Sequence, residues 1–333
     1  MTFLLTLSFI INSFNEDVFL LSQKPVNTEA DNTYGPVQNI PAGVFLLFLE
    51  LILSVVLASL VKVLSDDIDI FSILFFRYSL SLPLLLLYGF YIHGKNIFVV
   101  KQKGVLLARI IFGLIGLSCW YLTVIYLTLS VATVLLHTSP IFITIFAPFM
   151  TSEKVGLRRF LAVIIGFTGV IILINPNLDG SFSYSVIGLL FGAGATIFGA
   201  LMFITLRMLG SKDAPVPTAI WYNFIGAIVF GLLASFTNGA SSLDIIINEG
   251  FWFLLVFIGV SASFQQYLMA KSHQLAPVTV LAPVHYSAIP LSMFIGVLYF
   301  GDVIDLRFLI GTAVIVCSTL YIFVRERVIK QAN

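Results

Sequence analysis

Residues 104–150 read GVLLARIIFGLIGLSCWYLTVIYLTLSVATVLLHTSPIFITIFAPFM, and the fold follows from how this stretch is read. It holds two apolar runs, 104–126 and 128–150, with only Thr128 to Ser130 as a break between them. At about 1.5 Å of rise per residue, each run is long enough to cross roughly 30 Å of hydrocarbon as a helix. In lipid a spanning segment must satisfy its own backbone hydrogen bonds, so a pair of antiparallel helices joined by a tight turn is expected. Runs of the same kind recur outward near 43–64, 70–92, 157–175, 185–207, 216–238, 250–270, 275–300 and 305–324, giving ten spans in all.

Composition supports this solvent. The chain is 59% hydrophobic and 10% charged, with mean hydropathy +1.06, more apolar surface than a soluble core can hide. The lipid bilayer is therefore its first partner. A net charge of +1 gives no basic face, which excludes nucleic acid as a partner. Cys119 and Cys317 lie in separate apolar runs without CxxC or His/Cys spacing, so neither a disulfide nor a metal site is expected. No cofactor is expected. Met1 to Phe14 is apolar but lacks a positive leading region and a small-residue cleavage site, and it is too short to span. Ser22 to Pro41 is polar and bears prolines, which reads as a disordered linker.

Cations mark alternate loops: Lys95, Lys101, Lys103 and Arg109 after the second span; Lys154, Arg158 and Arg159 after the fourth; Arg207 and Lys212 after the sixth. Lys271 follows the eighth, and Arg325, Arg327 and Lys330 follow the tenth. The opposite loops carry Asp66, Asp67, Asp69, Asp179, Asp244, Glu249, Asp302 and Asp305, with Lys62 and Arg307 as the only nearby cations. The positive-inside rule then puts both termini in the cytoplasm, which requires an even number of spans.

Thr133-Val134-Leu135 returns as Thr279-Val280-Leu281. Glu153 followed by Arg159-Phe160-Leu161 returns as Asp302 followed by Arg307-Phe308-Leu309. The near-constant interval indicates a duplication. Five spans per copy is an odd number, so the second copy lies upside down in the membrane, an arrangement common in secondary transporters with midplane sites. The expected organisation is a tail and linker at 1–42, five-helix repeats at 43–178 and 179–325, and a cytoplasmic tail at 326–333.

Five stretches resemble the EamA-like branch of the drug/metabolite transporter superfamily. They are Phe75-Phe76-Arg77-Tyr78, Trp120-Tyr121, Ser130 to Pro140 (SVATVLLHTSP), Ser152 to Gly156 (SEKVG) and Leu275 to Tyr286 (LAPVTVLAPVHY). The resemblance covers about residues 43 to 325. It implies an all-α bundle of ten transmembrane helices in two inverted five-helix repeats around a central cavity. It also implies alternating-access movement of amino acids, nucleosides, S-adenosylmethionine or other amphiphilic metabolites without ATP hydrolysis, in a bacterial inner membrane. His137 and His285 depart from that pattern, so the substrate does not carry over.

An ionisable side chain inside a span is expensive unless it faces a partner or a cavity, so each is a candidate by default. Glu50 lies about 10 Å inside the first span from the cytoplasmic end, and Arg77 lies about as deep from the other face. That leaves about 10 Å between their levels, so a direct pair needs shifted boundaries. Arg77 has two readings, an anchor for an anionic substrate group or a side chain snorkelling toward Asp69. His137 and His285 each fall near the midplane and can change charge near neutral pH, so they suit a polar substrate, a coupling proton, or a neutral bond between helices. Trp120, Tyr121 and Tyr286 offer flat amphipathic walls, and Gln265 and Gln266 add donors and acceptors. The expected substrate-binding set is thus Glu50, Arg77, Trp120, Tyr121, His137, Gln265, Gln266, His285 and Tyr286. Gly113, Gly116, Gly188, Gly192 and Gly199 suit close helix packing, and Pro140, Pro148, Pro283 and Pro290 suit kinks in the fourth and ninth spans.

The competing reading is a membrane-embedded enzyme acting on a lipid or lipid-linked substrate, yet the chain has no phosphate loop, GxSxG or HExxH. A channel would want a charge ring or filter repeat, and none is found. Oligomeric state is not encoded in any motif.

Overall fold

The computed structural model describes residues 39–150, 157–174, 184–210, 213–237, 245–276, 281 and 284–332, and among them there is no strand. The helices are α1 (Ile40–Leu64), α2 (Ile70–His93), α3 (Lys103–Tyr126), α4 (Leu129–Leu136), α5 (Ser139–Met150) and α6 (Leu157–Ile174). They continue as α7 (Val186–Gly210), α8 (Pro215–Phe236), α9 (Trp252–Leu275), α10 (Ala288–Phe300) and α11 (Leu306–Ala332). A 3₁₀ turn at Gly94–Phe98 follows α2. Seven segments are long and apolar enough to cross a bilayer, with α4 and α5 acting as one. Three shorter apolar helices, Phe160–Ile174, Ala288–Phe300 and Leu306–Tyr321, fall where the remaining three of the ten spans are expected.

Local chemistry starts and stops these helices. Asn39 accepts from the Ala42 amide at 3.2 Å, and Asp69 accepts from Phe71 and Ser72 at 3.0 and 3.3 Å. Thr128 accepts from Val131, so the two long runs separate at Leu127 and Thr128. Gly301 ends α10 at φ 67°, letting the Asp302 amide reach back to the Gly296 carbonyl at 3.0 Å. α11 stays helical to Ala332, beyond the end expected near 324, because Arg325, Glu326, Arg327 and Lys330 are good helix formers once the chain leaves lipid.

The polarity is inverted relative to a soluble protein. Leu87, Phe90, Phe149, Phe236 and Tyr299 stand on the outside, while Glu50, Arg77, Arg109 and Asn223 are buried. Lipid is as apolar as leucine, so packing rather than water exclusion must hold the helices together. Glycines provide it where α3 crosses α7: a methyl on Gly116 would lie 3.2 Å from the Gly199 nitrogen.

Helix pairing repeats itself when the two halves are exchanged. α1 packs on α9 as α7 packs on α3; α10 packs on α1 as α5 packs on α7; α2 packs on α9 as α8 packs on α3. α2 with α8, α6 with α11, and α4 with α10 each pair with their own counterpart. The bundle is thus two five-span repeats wrapped around a pseudo-two-fold axis, inverted because five is odd.

The fourth span is broken at His137 and Thr138, where Pro140 has no amide to give the Leu136 carbonyl. Side chains take over the freed carbonyls: Thr138 and Thr196 donate to Leu135, and Ser139 donates to Leu136. A matching turn at Tyr286 and Ser287 precedes α10. Nearby, Lys62 of α1 donates to the Val124 and Leu127 carbonyls at the end of α3. Asp302 accepts from the Ser130 amide and hydroxyl at the start of α4. One cation and one anion thereby clasp the two ends of the α3–α4 corner. At the other end of the bundle, Asp213 accepts from the Lys101 and Gln102 amides at 2.6 and 3.1 Å, which hold its carboxyl below the usual range.

Residues 1–38, the Ser152–Gly156 motif, Lys154, Asp179, Asp244, Pro277–Val280 and Pro283 lie outside the described residues.

Candidate functional site

Glu50 sits in the middle of α1, and both it and Arg77 of α2 are buried, at 5% and 7% exposure. They do not touch directly. Gln265 of α9 stands between them: its amide donates to Glu50 Oε1 at 3.0 Å, and its carbonyl accepts from Arg77 Nη2 at 3.3 Å. A carboxamide carries one donor and one acceptor face, so it fills the gap in depth that separates the two ions. Arg77 turns inward, not toward Asp69. Asp69 is occupied in capping α2 and accepting the Thr237 hydroxyl, while the Arg77 guanidinium lies 5.6 Å from the Tyr121 ring centre and 5.9 Å from that of Tyr78. The snorkelling reading is therefore wrong for this arginine.

Tyr121 and Trp120 follow one another on α3 and are both buried in the apolar cluster that surrounds the relay. Gln266 turns to a separate chain of bonds: Asn223 of α8 donates to it at 3.5 Å, Ser81 donates to Asn223 at 2.7 Å, and Ser263 donates to the Ser81 carbonyl at 3.1 Å. The two adjacent glutamines thus tie α9 to α1 and α2 on one side and to α8 on the other.

A second group forms at the paired helix breaks. The Nδ1 atom of His137 lies 2.8 Å from the Thr133 carbonyl oxygen, and its ring also bonds to the His285 backbone. The Tyr286 ring is 5.9 Å away. The nine expected residues therefore sort into a relay group (Glu50, Arg77, Trp120, Tyr121, Gln265, with Gln266 beside it) and a break group (His137, His285, Tyr286).

Several polar partners escape the sequence reading. Arg109, grouped there with loop cations, is inside α3, buried at 9% exposure, and donates to the Thr218 carbonyl at 3.1 Å. Its guanidinium lies 5.0 Å from the Tyr222 ring centre, and the Tyr222 hydroxyl is 2.8 Å from that of Tyr78. Lys62, also treated as a loop cation, is the cap described above. A signal for part of this does exist. Trp221-Tyr222-Asn223-Phe224 stands to Phe75-Phe76-Arg77-Tyr78 at the same offset that relates Thr133–Leu135 to Thr279–Leu281, which marks Asn223 as the repeat counterpart of Arg77.

Comparison with known proteins agrees with this architecture. The EamA-like transporter family matches twice, at residues 41–175 and 186–324. A riboflavin transporter of Vibrio cholerae is 28% identical over 74% of this chain and 80% of its own. An S-adenosylmethionine uptake transporter of Rickettsia felis is 25% identical over 80% and 87%. A pseudopaline exporter of Pseudomonas aeruginosa is 25% identical over 84% and 95%. A crystal structure covering 84% of the chain superposes with TM-score 0.55 at 15% identity, a likeness of fold. The relatives named here are transporters, and the membrane-enzyme reading draws no support from them. With both halves matched in order, the chain belongs to the EamA-like transporter family.

Proposed function

We propose that this protein is a secondary transporter that carries a small polar or amphiphilic metabolite by alternating access, with the substrate bound at the Glu50–Gln265–Arg77 relay. The observation that carries the reading is the relay itself: a carboxyl and a guanidinium, buried on three helices drawn from both halves, joined only through an amide. Groups so costly in a bilayer are retained where they meet a solute. A substrate with a donor and an acceptor replaces the glutamine's contacts without leaving either ion alone. Trp120 and Tyr121 supply a flat wall beside it, and Gln266, His137, His285 and Tyr286 extend the site toward the paired helix breaks. His137 and His285 are also the groups suited to a coupling proton.

The alternation of cations between loops favours both termini in the cytoplasm, and the family resemblance favours a bacterial inner membrane; in this reading the repeats at 43–178 and 179–325 rock against each other. Relatives are named for riboflavin, S-adenosylmethionine and pseudopaline, so the first two are the first tracers to test. Purified full-length protein in proteoliposomes is expected to take up at least one tracer from a panel of these and labelled amino acids above protein-free vesicles. Protein that is folded and inserted yet moves none of them in either direction would contradict the reading.

A further inference from the structure

The relay accounts for one buried guanidinium, and among the described residues there is a second, Arg109. Arginine does not lose its proton in proteins, so a buried guanidinium keeps its charge and must find an acceptor. Arg77 reaches a carboxyl at one remove through Gln265. The described partners of Arg109 are the Thr218 carbonyl and the Tyr222 ring, neither of which carries negative charge. The Nε donors of both arginines are buried and have no acceptor.

A tyrosine pair connects the two cations. The Arg77 guanidinium lies over Tyr78, the Tyr78 and Tyr222 rings meet edge to face at 5.4 Å with their hydroxyls 2.8 Å apart, and Arg109 lies over Tyr222. Four side chains from α2, α8 and α3 thus form one unbroken line, and the packing is shaped around it. A methyl on Gly226 would come within 2.7 Å of the Tyr78 ring, and one on Gly113 within 2.7 Å of the Tyr222 ring. The line and its relay hold two fixed positive charges against one carboxyl.

We infer that the transported molecule carries an acidic group, a carboxylate or a phosphate, which pairs with Arg109 and Arg77 along this line. The inference rests on the proposed transport and names its substrate class. A carboxylate or phosphate matches the forked donors of a guanidinium, offsets the charge excess, and takes up the free Nε donor of the arginine it faces. A cationic solute is disfavoured by the same charge excess. Tyr78 and Tyr222 place two hydroxyls, 2.8 Å apart, between the arginines.

The test uses full-length protein purified in a neutral detergent and matched acid and neutral probes: riboflavin 5′-phosphate with riboflavin, nicotinate with nicotinamide, and N-acetylmethionine with its amide. Binding is read by thermal stabilisation, with chloride alone, phosphatidylglycerol or phosphatidylcholine added in separate arms. At least one acid is expected to bind about tenfold or more tightly than its neutral partner. That preference should vanish in Arg109→Gln and survive, weakened, in Arg109→Lys, which keeps the charge and guards against misfolding of the first variant. Three outcomes overturn the inference: no acid preference in any pair, a preference that persists in Arg109→Gln, or a stabilisation produced fully by chloride or phosphatidylglycerol with no added effect of the acids. Uptake of neutral probes alone in proteoliposomes would leave the transport reading standing and remove the acidic substrate; absence of uptake for all probes would count against transport itself.

Discussion

A carboxyl and a guanidinium left at different depths in a bilayer each cost several kcal/mol. Gln265 offsets part of that cost by offering a different face to each. Glycine sets the next constraint, because Tyr78 occupies the space a side chain at position 226 would need. Gly226→Ala should therefore lower stability by about 1–3 kcal/mol, the usual range for overpacking. A thermal melt of the detergent-purified variant equal to wild type would show that the ring has room to move. We propose that His285 binds substrate. His285→Gln keeps hydrogen bonding without titration, so uptake and exchange should weaken together. Loss of accumulation with exchange spared would assign it to proton coupling instead. The relay residues could be picked from sequence because Glu50, Arg77 and Gln265 are polar letters inside apolar runs. Tyr78 and Tyr222 could not, since aromatic rings are everywhere in a chain that is 14% aromatic. Arg109 was misplaced because a charge about 9 Å from a helix end reads the same whether it turns out to water or in to a ring.

Among the elements, the broken fourth span joins sequence to mechanism most closely. Proline and the hydroxyl residues Thr138 and Ser139 make the break legible, and Thr196 of α7 completes it from a distance no local pattern conveys. The clasp on the α3–α4 corner is harder to foresee, because Lys62 and Asp302 are far apart in sequence and look like ordinary loop charges. Asp302→Ala leaves the buried Ser130 amide and hydroxyl without an acceptor, an expected cost of about 1–3 kcal/mol. Gly296→Ala should mimic it, since a methyl there collides with the Asp302 carboxylate. Melting temperatures of both variants matching wild type would dissolve the clasp. The Asp213 contact behaves differently with pH. Its depressed pKa means the contribution is present above the ordinary carboxylate range and is lost as pH falls through the lowered value.

Across the whole molecule, the ten spans follow from run length alone, and their boundaries in the structure mostly fall within a few residues of the runs. The inversion follows from parity, five spans per half, and the exchange symmetry of helix pairing relates the two halves. Orientation rests on the cations. With Cys119 and Cys317 replaced by Ser, a membrane-impermeant thiol reagent applied to intact cells should label Glu249→Cys and miss Lys101→Cys; the reverse pattern would turn the protein over. Charge excess, tyrosine line and relay all serve one claim, that a solute crosses where Gln265 joins Glu50 to Arg77. Counterflow in proteoliposomes, measured side by side for wild type and Gln265→Leu with the best tracer of the panel, tests it most directly. The account predicts robust counterflow for wild type and at least about a tenfold loss in the variant, since Leu keeps the volume and strips both hydrogen bonds. Equal counterflow from two equally folded proteins would contradict it.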